Sequence, residues 1–234
     1  MIDAIQIPSS AIQYIRYQRT DYIWSPINKV LGSIRSTFPY LVDRIEVLFL
    51  AKRIASCYTS DMMQEYSSFK EHLPKNCRRV LDIGCGISGI DIFINEHYKG
   101  DDVQFFLLDK SVAEKKIYYG FHERCEFYNS LAAAKMTLLL NGVHDEQINL
   151  IEVNETNDIN IEGQIDLVIS LRSWGFHYPV PVYLDRVHEL LSKDGILILD
   201  VRKNTDGLNI LKSKFTSCKI IPDSRDHNHI VCHK

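Results

Sequence analysis

The sequence predicts an α/β fold in which a mostly parallel, seven-stranded sheet is covered by helices on both faces. Apolar runs of strand length alternate with helical patterns from residue 79 onward, and the first run ends in a glycine-rich loop. Two short apolar runs, separated by a polar turn, close the chain. Because crossover helices cover a sheet, the alternation favours parallel strands, whereas the last two runs favour an antiparallel hairpin at one edge.

The size and charge of the chain narrow the classes of function. Its 234 residues suffice for one well-buried α/β domain with an appendage. A formal net charge of −3 argues against the strongly basic surface that a dedicated nucleic-acid binder carries, so no nucleic-acid partner is expected. The net charge does not exclude local basic patches. The six cysteines are scattered without C-x-x-C pairs, which predicts a reducing, cytoplasmic location and no disulfide framework.

Neither a secretory signal nor a transmembrane segment is predicted. Asp3 and Pro8 stand where a signal peptide would have basic and then continuous apolar residues. The longest apolar run, at 47–51, is far shorter than the roughly 20 residues that a bilayer span requires.

Residues 1–74 are predicted to form an N-terminal helical and aromatic extension. Helical spacing of apolar residues predicts one helix from about Asp43 and a second over 61–72 that ends before Pro74. Residues 1–40 are rich in aromatic side chains and prolines, which indicates irregular or short-helical structure. Four of the aromatic side chains are expected either to cover a substrate pocket as a lid or only to pack on the domain. They are Tyr14, Tyr17, Tyr22 and Trp24.

Residues 75–234 are predicted to form the sheet domain. Strands are expected at 79–83, 103–108, 148–153, 166–171, 195–201, 218–221 and 229–232. Helices are expected at 89–97, 130–141, 179–191 and 208–214. Ser130 is a favourable N-cap, Gly142 a C-terminal stop, and Pro179 suits the first turn of its helix.

The most informative segment is VLDIGCGISG at 80–89. Its glycines, Gly84, Gly86 and Gly89, allow a tight turn and a close approach of the backbone to a ligand, at which the next helix aims its free N–H groups. Asp82 suits a cationic ligand, since a carboxylate would repel a dinucleotide pyrophosphate.

This segment resembles motif I of the class I (Rossmann-like) S-adenosylmethionine-dependent methyltransferases, whose common form is V-L-D-[IV]-G-C-G-x-G. Here Ser88 follows Ile87, so that Gly89 comes one place later. The resemblance covers residues 75–234 and implies S-adenosylmethionine as the cofactor, whose sulfonium and ammonium groups Asp82 would favour. Cys85 is interpreted as a small space-filling residue of the cofactor loop, with nothing nearby that marks it as a nucleophile.

Further cofactor contacts are expected at the ends of the next strands. Asp109 ends the second predicted strand, 20 residues after Gly89, where an acid accepts hydrogen bonds from ribose hydroxyls. The resemblance implies an adenine contact at Glu152 or Asn154, either of which is otherwise a loop residue. The remaining expected contacts are Lys110, which is otherwise a solvated neighbour of Asp109, and Ser170 and Leu171.

The second informative segment is SLRSWGFHYP at 170–179, which follows the fourth strand and corresponds in position to motif IV of the resembled family. His177 is either a general base for a hydroxyl acceptor or a structural cap of the following helix. Arg172 either binds an anionic group of the substrate or pairs with an acid of its own domain. Tyr178 and Trp174 either stack on the acceptor or belong to the core.

A metal site is not predicted. His227 and His229 share a strand face near Cys232 and His233, but no carboxylate or further cysteine lies at a ligand spacing in the nearby sequence.

The predicted function is S-adenosylmethionine-dependent methyl transfer. Segment 171–179 looks like that of small bacterial methyltransferases of sugar and surface-polysaccharide pathways, which implies O-methylation of a sugar precursor. The alternatives are a methyltransferase acting on another small molecule, at oxygen or nitrogen, and a non-catalytic cofactor-binding scaffold. A dinucleotide oxidoreductase is disfavoured by Asp82, and an RNA methyltransferase would require a concentrated basic face. The oligomeric state is not predicted.

Overall fold

A computed structural model describes residues 2–19, 22, 39–99, 101–111, 129–222 and 227–234. One sheet contains seven strands: β1 (Arg79–Ile83), β2 (Gln104–Asp109), β3 (Ile148–Glu152), β4 (Ile165–Ser170), β5 (Leu191–Arg202), β6 (Ser217–Ile221) and β7 (His227–His233). Their order across the sheet is β3-β2-β1-β4-β5-β7-β6. The pairs among β1 to β5 are parallel, and β7 runs antiparallel to both β5 and β6. The predicted fold class and the C-terminal antiparallel pair are thus confirmed.

The described α-helices are α1 (Ser9–Gln18), α2 (Pro39–Phe69), α3 (Gly89–His97), α4 (Leu131–Leu140), α5 (Pro181–Leu190) and α6 (Gly207–Lys214). The bounds of β1 and α3 are those predicted. Ser130 is the N-cap of α4, where its hydroxyl accepts a hydrogen bond from the backbone N–H of Ala133 at 3.3 Å. α5 has proline in its first turn, although at Pro181 rather than Pro179.

The two helices predicted between residues 43 and 72 are in fact one. α2 runs without interruption for 31 residues and is followed by a 3₁₀ turn at Lys70–His72. Neither glycine nor proline interrupts the sequence between Pro39 and Pro74, and the hydroxyl of Thr59 donates to the carbonyl of Ala55 within the helix, at 2.9 Å. The polar residues near the middle of α2 therefore did not mark a helix end.

Both faces of the sheet are covered by helices. One face packs against α1 to α4 around a core that includes Ile15, Ile54, Phe69 and Phe105. The other face forms a second core with α5 and α6, as parallel sheets buried on both faces require. The N-terminal helices therefore belong to the same hydrophobic core as the sheet.

Several contacts fasten the extension to the rest of the chain. The hydroxyl of Tyr22 donates to Asp61 of α2, and the backbone N–H of Gln6 donates to the side chain of Asn141 at 2.9 Å. Tyr14 is half-buried against the first core. Trp24 and the side chain of Tyr17 lie outside the described residues, so the predicted aromatic lid stays a prediction.

One disulfide was not predicted. Cys218 and Cys232 are directly opposite in the register of β6 and β7 and are joined by a disulfide with an S–S distance of 2.02 Å. The two residues are 14 positions apart, and only the hairpin register makes them neighbours.

In the described part of the chain, no helix has the length and apolar character needed to span a bilayer.

Candidate functional site

The glycine-rich loop between β1 and α3 is held against the end of β2. The backbone N–H of Gly84 donates to the carbonyl of Leu108 at 2.7 Å, and that of Gly86 donates to the carboxylate of Asp109 at 2.9 Å. Gly84 has a φ of +76°, and a Cβ at this position would lie 2.0 Å from Oγ of Ser173. Glycine is thus required here by the backbone conformation and by close contact with the loop that follows β4.

A cavity lies at the carboxyl ends of β1, β2 and β3, the edge at which parallel α/β sheets bind ligands. The predicted residues Gly84, Asp109, Lys110 and Tyr178 all line it. Its other lining residues are Ile83, Leu108, Val153, Ser173 and Tyr183. Ser173 and Tyr183 come from the β4–α5 loop and from α5, and no motif in the sequence marked them as part of this site.

Carboxyl groups concentrate around the loop. Asp82 of β1 and Asp91 of α3 are both buried, and burial raises the pKa of each, with the nearby Asp91 carboxyl raising that of Asp82 further. Asp109 is half-buried, and partial burial raises its pKa to about 6 although the N–H groups of Gly86 and Lys110 donate to it. The site therefore gains electrostatically from a ligand that carries positive charge.

The N-terminal extension reaches this site through α2. The hydroxyl of the buried Tyr58 accepts a hydrogen bond from the backbone N–H of Gly89 at 3.2 Å. A Cβ at Gly89 would lie 2.4 Å from this hydroxyl oxygen. One of the free N–H groups at the start of α3 is thus satisfied by the extension, a contact that sequence reasoning missed because the two residues are 31 positions apart.

Cys85 and Ser170 have supporting positions. Cys85 is buried, and burial together with Asp109, Asp82 and Asp91 raises the pKa of its thiol, which disfavours the nucleophilic thiolate. The hydroxyl of Ser170 donates to the carbonyl of Ile83 at 2.6 Å and accepts from the backbone N–H of Trp174 at 3.0 Å. Ser170 thereby links β1 to the loop after β4.

Leu171, Asn154 and Glu152 lie outside the cavity wall among the described residues. Leu171 packs against the first core. Asn154 is exposed, and its side chain is engaged locally, since its Oδ1 accepts from the backbone N–H of Asp158 at 2.9 Å. Glu152 accepts from the backbone N–H of Ser111 at 2.6 Å. Their predicted contacts with the cofactor stay predictions.

The β4–α5 loop is ordered by its own hydrogen bonds. The backbone N–H groups of His177 and Gly175 donate to the carbonyls of Ser173 and Tyr178, at 2.7 and 2.8 Å. Trp174 is fully buried and its indole N–H donates to the carbonyl of Val180 at 2.8 Å, which supports its interpretation as a core residue.

His177 is exposed on this loop, outside the described cavity wall. Partial burial of its ring and the charge of Arg202 lower the pKa of His177, which favours the neutral imidazole. Arg172 has a left-handed backbone, with φ +56°, and its N–H donates to the carboxylate of Asp200 at 3.1 Å.

No carboxylate lies at a ligand spacing in the sequence near the C-terminal histidines, but the sheet brings one to them from β5. Asp200 of β5 is opposite His229 of β7, and all three of Asp200, His227 and His229 are buried. Although burial opposes it, hydrogen bonds from the two histidines lower the pKa of Asp200 to about 2. The carboxylate is distant in sequence and adjacent only in the sheet.

No protein-family model matches the sequence, and a search of curated proteins finds no match. A protein of Nostoc punctiforme named as an O-methyltransferase is similar in structure, with a TM-score of 0.52 and 15% identity over 79% of this chain, which spans only 59% of that protein. The S-adenosylmethionine-dependent methyltransferase SibL is similar with a TM-score of 0.51 and 14% identity. The match covers 96% of this chain and 69% of the SibL chain. Precorrin-6y C5,15-methyltransferase from Geobacter metallireducens is similar with a TM-score of 0.50 and 14% identity. The match covers 74% of this chain and 86% of the Geobacter chain. Together with the strand order, these likenesses show that the chain has the Rossmann-like fold of class I S-adenosylmethionine-dependent methyltransferases.

Proposed function

We propose that this chain is an S-adenosylmethionine-dependent methyltransferase. The observation that carries the proposal is the group of three carboxyls, Asp82, Asp91 and Asp109, around a glycine-rich loop at the ligand-binding edge. Desolvation raises the pKa of each, so a cationic ligand favours their ionised forms. S-adenosylmethionine carries a sulfonium and an ammonium group, whereas a dinucleotide would bring two further negative charges close to these acids.

The residues of the cavity fit a nucleoside. Asp109 presents a carboxylate for ribose hydroxyls, and Tyr178, Tyr183 and Val153 provide an aromatic and apolar wall for a base. Gly84 lets the backbone approach closely, with Ser173 forming the facing side. When bound, the cofactor would supply an electrophilic methyl group with a neutral leaving group, so that positioning of the acceptor contributes much of the rate.

We assign the acceptor side to the β4–α5 loop. The lowered pKa of His177 favours the neutral imidazole, which could take a proton from a hydroxyl, and Tyr178 lies in the cavity wall beside it. Arg172 has its backbone fastened to Asp200, in keeping with a role in positioning this loop. O-methylation of a sugar or surface-polysaccharide precursor is the acceptor class favoured by the resemblance of segment 171–179, and a small molecule is the expected partner.

The cofactor is tested by calorimetric titration with S-adenosylmethionine and S-adenosylhomocysteine, with NADH as the competing ligand. Saturable binding of the first two and none of NADH is the expected result. Asp109→Asn should weaken binding at least tenfold, while Asp101→Asn, an exposed position three residues before β2, should leave it unchanged. If the folded wild-type protein binds neither methyl donor nor product, the proposal is wrong.

The acceptor is tested separately, by methyl transfer from labelled cofactor to a panel of nucleotide sugars and phenolic small molecules. Incorporation into a sugar hydroxyl supports the proposed class. Incorporation only into the other compounds retains the methyltransferase and replaces the acceptor.

A further inference from the structure

A carboxylate and two imidazoles converge between β5 and β7. In the antiparallel register Asp200 is opposite His229, and His227 lies two residues before His229, on the same face of the strand. Nδ1 of His229 is 2.5 Å and Nε2 of His227 is 3.3 Å from the same oxygen, Oδ1 of Asp200. One ligand atom from each of the three residues lies within 4.8 Å of the others.

This spacing matches the needs of a divalent transition metal. Bonds of about 2.0–2.2 Å from such a metal to imidazole nitrogen and carboxylate oxygen place the ligand atoms roughly 3 Å apart. Two histidines and one carboxylate form a mixed set of nitrogen and oxygen ligands. Such a set suits first-row divalent transition metals better than Mg²⁺ or Ca²⁺, which bind mainly through oxygen. The observed distances of 2.5 and 3.3 Å from Oδ1 of Asp200 to the two imidazole nitrogens lie on either side of that value.

The surroundings orient the three ligands. Oδ2 of Asp200 accepts from the backbone N–H of Arg172, which leaves Oδ1 directed at the histidines. The ring of Phe69 stacks on His229 at 5.7 Å, and the ring of Phe176 meets His227 edge-on at 6.0 Å. Hydrogen bonds that orient a ligating carboxylate, and an apolar enclosure around it, are typical of protein metal sites.

We propose that Asp200, His227 and His229 form a binding site for a divalent first-row transition metal such as Zn²⁺, which would link β5 to β7. Both imidazoles would turn a lone pair to the metal, with their protons on the other ring nitrogens. The site does not depend on the proposed methyl transfer.

The test uses untagged, full-length protein that is stripped with a chelator, dialysed against Zn²⁺ and analysed for metal content. We expect about one Zn²⁺ per chain and a raised thermal midpoint. His229→Gln and Asp200→Asn should reduce the Zn²⁺ content at least fivefold, whereas His233→Gln, an exposed position on the same strand, should retain it. Equal Zn²⁺ content in all four proteins, or none in the wild type, overturns the proposal.

X-ray absorption of the wild-type protein loaded with Zn²⁺ keeps the test decisive if a variant fails to fold. A first shell of nitrogen and oxygen with two imidazoles supports the site. Sulfur scatterers, which the thiols of Cys57, Cys77 or Cys85 would contribute, or a shell without imidazole, overturn it.

Discussion

Asp91 is the residue whose importance is least visible in the sequence. It lies in the first turn of α3, an ordinary place for an acid near a helix N-terminus. The fold, however, buries it beside Asp82 of β1, and both carboxyls then bind protons more tightly than in the unfolded chain. The acids of this site are thus ones whose ionisation the fold itself opposes.

A first prediction concerns Asp91→Asn. Burial raises the pKa of Asp91 from 3.8 to about 7, so between these values the folded state holds a proton that the unfolded state has lost. The stability of the wild type should fall as pH rises through this window, and the variant should lose much of that slope. Urea unfolding at pH 5 and pH 8 measures it; the exposed Asp194→Asn should keep the wild-type slope, and identical pH curves for Asp91→Asn and wild type would contradict the assignment.

A second prediction concerns His177. Because partial burial and Arg202 lower the pKa of His177, the acidic limb of the activity profile should lie at a lower pH than a free imidazole would give. His177→Ala should reduce turnover by about 10²–10⁴-fold with cofactor affinity unchanged. Arg202→Gln should move the acidic limb to higher pH, since a positive charge is removed. Unchanged turnover in His177→Ala would remove this residue from the mechanism.

At the scale of elements, the site is the meeting point of two loops and one helix of the extension. The glycine-rich loop was predicted with its strand and helix, since apolar runs, glycines and helical spacing are local signals. The close contacts of Ser173 with Gly84 and of Tyr58 with Gly89 result from packing between segments that are distant in the sequence. Close approach of this kind explains why two of the glycines are required.

A third prediction concerns Tyr58→Phe. The N–H of Gly89 would lose its acceptor in a buried place, which should lower the free energy of unfolding by about 1 kcal/mol. Tyr66→Phe is the matched control in α2, because the hydroxyl of Tyr66 bonds the ring of His97 at an exposed position. Chemical denaturation of the two variants measures the difference, and an equal or larger loss in Tyr66→Phe would argue against a structural role of the Tyr58 contact.

At the scale of the whole molecule, the N-terminal extension and the sheet domain share one hydrophobic core. Ile15 of α1 and Ile54 of α2 are fully buried in the cluster that also contains Phe105 and Ile169 of the sheet. The sequence division at residue 74 therefore does not separate two hydrophobic cores.

A fourth prediction follows for the chain without residues 1–74. Removing α1 and α2 exposes the apolar side chains of α3, α4 and the sheet that share their core, so residues 75–234 alone should lack a cooperative unfolding transition. A shorter deletion of residues 1–3 should leave the transition intact. Circular dichroism during thermal unfolding is the measurement, and a cooperative transition in the larger deletion would show that the sheet domain folds independently.

Local periodicity and residues adjacent in the chain were enough to predict the fold class, the strand and helix that flank the glycine-rich loop, and the positions of Asp82 and Asp109. It also predicted the C-terminal hairpin, though not its disulfide. Contacts between distant groups depend on the folded chain, which brings together Asp91 and Asp82, Tyr58 and Gly89, and Asp200 with His227 and His229. Sheet register and helix packing bring these groups together, and no spacing within a single segment records them.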